Sequence, residues 1–290
     1  CILGLSNAPN VLRLDLKGCT SLTELPEEMQ KMKSLVFLNL RGCTSLLSLP
    51  NINIDSLKTL ILSGCSKLQT FEVISENLET LYLNGTAIAE LPQAIGNLQR
   101  LNFLNLKDCK NLETLPDSLG KLKSLQELKL SRCSKLKMFP EVELIMEKFR
   151  VLLLDGTSIT EKPRNIFDLS SLRRLCLSRN DKICSLEFNM GRMFHLKWLE
   201  LKYCKNLTSL PSLPPNLQCL NAHGCTSLRT VASPLALLLP NDQIHSTFTF
   251  TNCHELEQVS KNAIVSYTKK KAELISHDRY NQDFVFKSLI

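Results

Sequence analysis

No apolar run in this 290-residue sequence approaches the ~20 residues needed to cross a bilayer; the longest, Pro234 to Pro240, falls far short. The opening Cys1-Ile-Leu-Gly-Leu5 has neither Met nor a basic stretch, so it does not read as a secretory leader. It reads as the tail of an earlier structural repeat, and the chain as a piece of a longer gene product. Catalytic signatures are missing as well. There is no P-loop, no glycine-rich dinucleotide turn, no G-x-S-x-G elbow and no H-E-x-x-H helix. Acidic pairs fall on segments expected to be solvated, so no catalytic residue and no cofactor is expected. Charge of one sign is not gathered anywhere. The formal net charge is +7, but Lys and Arg are interspersed with Asp and Glu, and the one tight basic run is Lys269-Lys270-Lys271. A nucleic-acid reader concentrates its cations on one face, so neither a nucleic-acid nor a membrane partner is expected. No C-x-x-C pair occurs and no Cys/His cluster has zinc spacing, so no metal site is expected. His223 beside Cys225 reads as a surface histidine.

What is present is a repeat. The template L-x-x-L-x-L-x-x-C begins at Val11, Leu35, Leu57, Leu78, Leu101, Leu125, Phe149, Leu172, Leu196 and Leu217, returning every 21 to 24 residues. A period in the twenties with this signature is a leucine-rich repeat. The expected fold is therefore an α/β solenoid. It is a curved horseshoe with parallel strands on the concave face and short helical or 3-10 turns on the convex face. Within the fifth coil, Phe103-Leu-Asn-Leu-Lys107 alternates with period two and predicts a strand. Leu104 and Leu106 point inward there, while Phe103, Asn105 and Lys107 point outward. Leu119, Leu122 and Leu125 are three apart, as in a 3-10 turn. The fourth and seventh coils are one residue shorter after the template slot, on the way to Ile88 and Ile159, which predicts altered loops.

Twelve cysteines invite a disulfide framework, yet eight of them occupy or adjoin one template slot: Cys19, Cys43, Cys65, Cys109, Cys133, Cys204, Cys225 and Cys253. Elsewhere that slot holds Thr86, Thr157 or Asn180. The shared property is a short side chain with a donor, suited to carbonyls of the next loop in a dry interior. A disulfide does not explain the Thr and Asn. Free thiols in a reducing compartment follow. Cys1, Cys176, Cys184 and Cys219 lie off the slot, with Cys176 and Cys219 expected as outward thiols.

Two outward rows form the candidate binding face. One runs Arg13, Phe37, Thr59, Thr80, Phe103, Glu127, Val151, Arg174, Trp198. The other runs Asp15, Asn39, Ile61, Tyr82, Asn105, Lys129, Leu153, Cys176, Glu200. From these, Phe37, Ile61, Tyr82, Phe103, Asn105, Lys129, Leu153, Arg174, Trp198 and Glu200 are the candidate protein contacts, because adjacent exposed aromatics flanked by charge resemble interface hot spots. Domain organisation reads as repeats over 1–231, an atypical last coil with a cap helix over 232–275, and the start of a further domain or a tail over 276–290. Phe248 and Phe250 replace the usual leucines in the last strand, and the cap helix should continue to about Ile275.

The run Leu-Ser-Asn-Ala-Pro-Asn at 5–10, the repeated Leu-x-Gly-Cys-(Thr/Ser)-x-Leu motifs and Phe-Thr-Phe-Thr-Asn-Cys-His-Glu-Leu-Glu-Gln at 248–258 together resemble the leucine-rich-repeat region of plant TIR-type nucleotide-binding disease resistance proteins, with the start of their post-repeat domain. The resemblance implies a recognition and autoinhibition module of an intracellular immune receptor. Its partners would be a pathogen effector or a guarded host protein and, within the full receptor, the nucleotide-binding domain. Its location would be cytoplasmic, with the nucleus a second candidate. The family's NAD-cleaving TIR domain and nucleotide-binding domain are not encoded in this chain, so no enzymatic activity is expected of it. The repeat region of a ubiquitin-ligase-type enzyme or of an extracellular receptor stands as the alternative.

Overall fold

The structure is a computed structural model that describes residues 10–49, 53–140, 146–159, 169–186, 188–232 and 246–277. Most of the insertion expected after Val231, the apolar run at 234–240, Cys1 and the tail from 278 onward lie outside the described residues. The chain divides into two compact units, Cys1–Thr157 and Ser158–Ile290.

The first unit is a stack of short parallel strands. They are β1 (Arg13–Asp15), β2 (Phe37–Asn39), β3 (Thr59–Ile61), β4 (Thr80–Tyr82), β5 (Phe103–Asn105), β6 (Glu127–Lys129) and β7 (Val151–Leu153). Each pairs in register with the next, so that Leu14, Leu38, Leu60, Leu81, Leu104, Leu128 and Leu152 form one inward column. Leu40, Leu62, Leu83, Leu106, Leu130 and Leu154 form the next, and all of these are fully buried. Strands are only three residues long because the template supplies one inward leucine between two outward positions before the chain turns.

The far arc carries 3-10 turns at Glu27–Lys31, Gln93–Asn97 and Asp117–Lys121, each preceded by an extended proline, Pro26, Pro92 and Pro116. Proline presets φ for the turn and forfeits only an amide that would have no partner there. The turns bury Met29, Ile95 and Leu119. Turns of successive coils come very close: a Cβ on Gly96 would stand 2.8 Å from both the Cβ and the carbonyl oxygen of Ser118. The fourth and seventh coils lack the second tight turn that others make after the template slot, in line with their missing residue.

The second unit repeats the design. Strands β8 (Arg174–Cys176), β9 (Trp198–Glu200), β11 (Cys219–Asn221) and β13 (Thr247–Thr249) pair in parallel, while β10 (Ser209–Leu210) pairs separately with β12 (Thr230–Val231). One helix, α1 (Gln258–His277), follows. It is pinned to the last strand by Tyr267, whose ring stacks on Phe248 at 4.7 Å and whose hydroxyl lies 2.9 Å from Ser246 Oγ. Ser260 Oγ accepts from the Val231 amide. Lys271 turns inward to donate to the Ser246 carbonyl, so the one tight basic run is a helix segment with its last lysine engaged in packing.

Seven of the eight slot cysteines form a ladder of S–H donors, while Cys19, in the first coil, is exposed to solvent instead. Cys43 donates to the Leu16 carbonyl, Cys65 to Leu40, Cys109 to Leu83, Cys133 to Leu106, Cys204 to Leu177, Cys225 to Leu201 and Cys253 to Ala222, at 3.0–3.2 Å. The acceptor belongs to the preceding coil, not to the following loop as expected from the sequence. Threonine and asparagine in the slot use a different acceptor: Thr86 donates to Leu83, Thr157 to Leu154 and Asn180 to Leu177, each within its own coil. All eleven described cysteines are free thiols.

Candidate functional site

The strand register of the first unit aligns seven candidate residues on one face. Phe37, Thr59, Thr80, Phe103, Glu127 and Val151 stand in one row, and Asn39, Ile61, Tyr82, Asn105, Lys129 and Leu153 in the next. Phe37, Ile61, Tyr82, Phe103, Asn105, Lys129 and Leu153 are all half-buried. The rings of Tyr82 and Phe103 lie 5.0 Å apart, tilted by 47°. The Arg13 guanidinium sits over the Phe37 ring at 3.9 Å, and Lys129 Nζ lies 4.8 Å from the Phe103 centroid and 3.4 Å from Glu127 Oε2. The patch therefore combines aromatic and aliphatic side chains, interrupted in the first row by Thr59 and Thr80, with cations laid against Phe37 and Phe103.

Polar members of the second row serve the turn that follows. Asp15, Asn39 and Asn105 accept from the amides of Lys17, Arg41 and Lys107, and Asn39 Nδ2 reaches Asp15. Asn39 is buried as a result, deeper than its outward position suggests. One step further along each coil the backbone enters the left-handed region. Gly18, Gly42, Gly64 and Gly85 occupy it in the first four coils, and Asp108 and Arg132 in the next two. Arg132 grips Asp108 with two of its guanidinium nitrogens, Nε and Nη2, each at 2.6 Å, which holds that carboxyl below its usual range. This pair escaped the sequence reading; the signal was the loss of glycine from a position that recurs one residue before the cysteine slot.

In the second unit the three remaining candidates meet on β8 and β9. Arg174 Nη2 donates to Glu200 Oε1 at 2.6 Å, and Trp198, 42% exposed, lies in register with Arg174 and Cys219. Cys219 is half-buried, and burial followed by the nearby Glu200 charge pushes its thiol up. Cys176 departs from expectation. It is 6% exposed, with its sulfur 3.5 Å from Ser178 Oγ. An outward strand position is solvated only where nothing packs over it, and that is a tertiary fact the repeat pattern does not carry. At the left-handed position Tyr203 meets His223 edge-on at 5.1 Å, and His223 Nδ1 lies 2.5 Å from Thr251 Oγ1.

Parallel three-residue strands, inward leucine columns and proline-led 3-10 turns define a leucine-rich-repeat solenoid that displays a side-chain surface on its strands. The family described as a leucine-rich repeat region matches residues 72–152. The chain is a repeat region of the kind carried by plant disease resistance proteins. It is 55% identical to disease resistance protein RPS4 of Arabidopsis thaliana over 99% of its own length, and 57% identical to the disease resistance-like protein CSA1 of the same plant over 95%. In each case the match takes up 23% of the relative, so the chain spans about a quarter of the length of these curated proteins. Among solved structures, the leucine-rich repeat domain of the type III effector XopL superposes with a TM-score of 0.53 at 19% identity, covering 88% of this chain and 74% of that one. YopM from Yersinia enterocolitica gives 0.55 at 26% identity, over 77% and 46%. These likenesses establish the fold. No helix among the described residues is long and apolar enough to cross a membrane.

Proposed function

We propose that this chain is the recognition module of a plant TIR-type immune receptor. Its strand face takes a pathogen effector, or the host protein that an effector alters, and in the full-length receptor the same region restrains the nucleotide-binding domain. The observation that carries the proposal is the register that sets Phe37, Ile61, Tyr82 and Phe103 side by side with Arg13 and Lys129 at their margins. Clustered aromatics with flanking cations are the composition of interface hot spots. Arg174, Trp198 and Glu200 supply a second contact patch on the second unit. Residues 1–231 act as the repeats, 232–275 as the last coil and cap helix, and 276–290 as the opening of a post-repeat domain. Ladder thiols that serve as hydrogen-bond donors work only while reduced, which favours the cytoplasm, with the nucleus second, over the extracellular alternative.

The test is a double substitution, Tyr82→Ala with Phe103→Ala, in the full-length receptor. A panel of effectors is screened by co-immunoprecipitation from leaf tissue. An effector captured by the wild type should be lost by the variant at equal protein level, together with the cell-death response. Undiminished capture by the variant overturns the assignment of this face.

A further inference from the structure

The strand ladder stops at β13, the end of its sheet. In interior coils the amide two residues past the middle of a strand and the amide at the left-handed position both donate to carbonyls of the next coil. Leu106 and Asp108 reach Lys129 and Ser131, Leu201 and Tyr203 reach Asn221 and His223, and Ala222 and Gly224 reach Thr249 and Thr251, all at 2.7–2.9 Å. After β13 the equivalent amides are those of Phe250 and Asn252, and among the described residues neither has an acceptor. Phe250 is itself 5% exposed, and an unspent main-chain donor is uncommon in such a place. Thr247 and Thr249 pair with Cys219 and Asn221, so Phe248 between them turns its carbonyl to the free edge. The start of that edge is already closed. The carbonyl just before a strand accepts from the first amides of the next coil, as Leu12 does from Val36 and Phe37, and Gln126 from Arg150 and Val151. At Ser246 that place is taken by Lys271 Nζ from α1. The Tyr267 ring, stacked on Phe248 at 4.7 Å, stands where an inward leucine of a further coil would be. The cap helix thus finishes the first half of the edge and leaves the second half bare. Its outward side chains, Thr247, Thr249 and Thr251, carry no charge, so what the edge has left to offer is main-chain hydrogen bonding.

We propose that the second half of β13 takes an extended segment of a partner protein as one more parallel strand. The two unspent donors are complementary to carbonyls two residues apart, and an extended polypeptide presents carbonyls at that spacing along one edge. The central residue of the segment lies in register with Thr249. It gives its carbonyl to the Phe250 amide and its own amide to the Phe248 carbonyl. The residue two further on gives its carbonyl to Asn252. The side chain before the central one points inward past Tyr267, which leaves room for Gly or Ala only. The central side chain and the one two further on stand beside Thr249 and Thr251, where β-branched residues pack best. Tyr267 and Lys271 hold the place of a whole further coil, so the occupant is a single strand and not the repeat stack of another copy.

This inference goes beyond the recognition reading above and needs neither Tyr82 nor Phe103. The probe is a random dodecapeptide library displayed on phage and panned on the chain. An enriched peptide is then synthesised and N-methylated at each residue in turn. Affinity should fall at least about tenfold at one residue, which loses its hydrogen bond to Phe248. It should hold at the two neighbours, whose amides point away from β13. The residue before the sensitive one should be Gly or Ala. Hydrogen exchange followed by NMR should show the Phe250 and Asn252 amides slowed in the complex, and binding should survive Tyr82→Ala/Phe103→Ala. Enriched peptides that ignore N-methylation and need Tyr82 and Phe103 overturn the added strand and leave the recognition face standing. A library that yields no peptide protecting the two amides overturns it as well. If both amides are already protected in the concentrated chain alone, in a species of twice the mass, the occupant is a second copy and the partner segment is refuted.

Discussion

Raising the pH should unfold this protein through its thiol ladder. Burial, the largest cause in each case, pushes Cys65, Cys204 and Cys253 up to about 11 and Cys133 up to about 12, from a value of 9.0 when solvated. The Cys225 thiol is raised in the same way. A group whose folded pKa is raised keeps its stabilising effect below the unfolded value and loses it as the pH climbs toward the folded one, because the unfolded chain gives up its proton first. The window therefore opens near pH 9 and closes near pH 11 to 12. At pH 10 the unfolded thiol is mostly ionised and the folded one is not, so each slot cysteine withdraws about 1.4 kcal/mol. Four of them withdraw ~5 kcal/mol, comparable to the whole stability of an ordinary domain. Tyr267, pushed up to about 12 by burial, acts in the same direction. The assay is urea unfolding followed by circular dichroism at pH 8, 9 and 10 under reducing conditions, for the wild type and Cys133→Ala. The wild type should lose stability steeply above pH 9, and the variant should lose about 1.4 kcal/mol less between pH 8 and 10. An equal loss in the two proteins, or a stability that rises across this window, refutes the reasoning.

Two further outcomes follow from the packing. Leu104→Ala should cost ~2–5 kcal/mol by opening a cavity in the column, while Phe103→Ala should cost about 1–2 kcal/mol, the sum of a tilted aromatic pair and an edge cation contact; chemical denaturation of the two variants compares them, and equal costs mean the strand register is misplaced. Gly96→Ala should lower the melting temperature by several degrees in a thermal scan, since its Cβ would collide with Ser118, whereas Gly191→Ala, where the same atom meets nothing within 4 Å, should change it by far less.

Most of this architecture was legible because two periods coincide in the chain. The alternation at Phe103-Leu104-Asn105-Leu106 set which side chains face inward, and the return of the template after 21 to 24 residues set which outward residues become neighbours. Every pairing in the two outward rows rests on those spacings alone. The direction of the thiol ladder was not legible, because Cys133 reaching back to Leu106 depends on the gap between coils, which the repeat pattern does not carry. Nor was the burial of Cys176 or Asn39, where a lateral contact overrides the inward-outward rule. The residues of the aromatic patch stand in the register that the spacing sets, but the spacing reads them as exposed; Tyr82, Phe103 and Lys129 in fact brace one another, so substitution there disturbs a small packed layer. The Asp108–Arg132 pair was invisible from one coil and plain only when those two residues stood beside Gly18, Gly42, Gly64 and Gly85 at the same left-handed position.

The ladder gives the coils that carry a slot cysteine a common joint. Cys43, Cys65 and Cys133 each find their acceptor at an equivalent atom one repeat back, so a gene that drops or duplicates a whole repeat by unequal crossing-over still encodes a matched interior. The outward residues travel with the exchanged segment. New surfaces can thus be shuffled into the protein wholesale, with no compensating change required in the leucines beneath them.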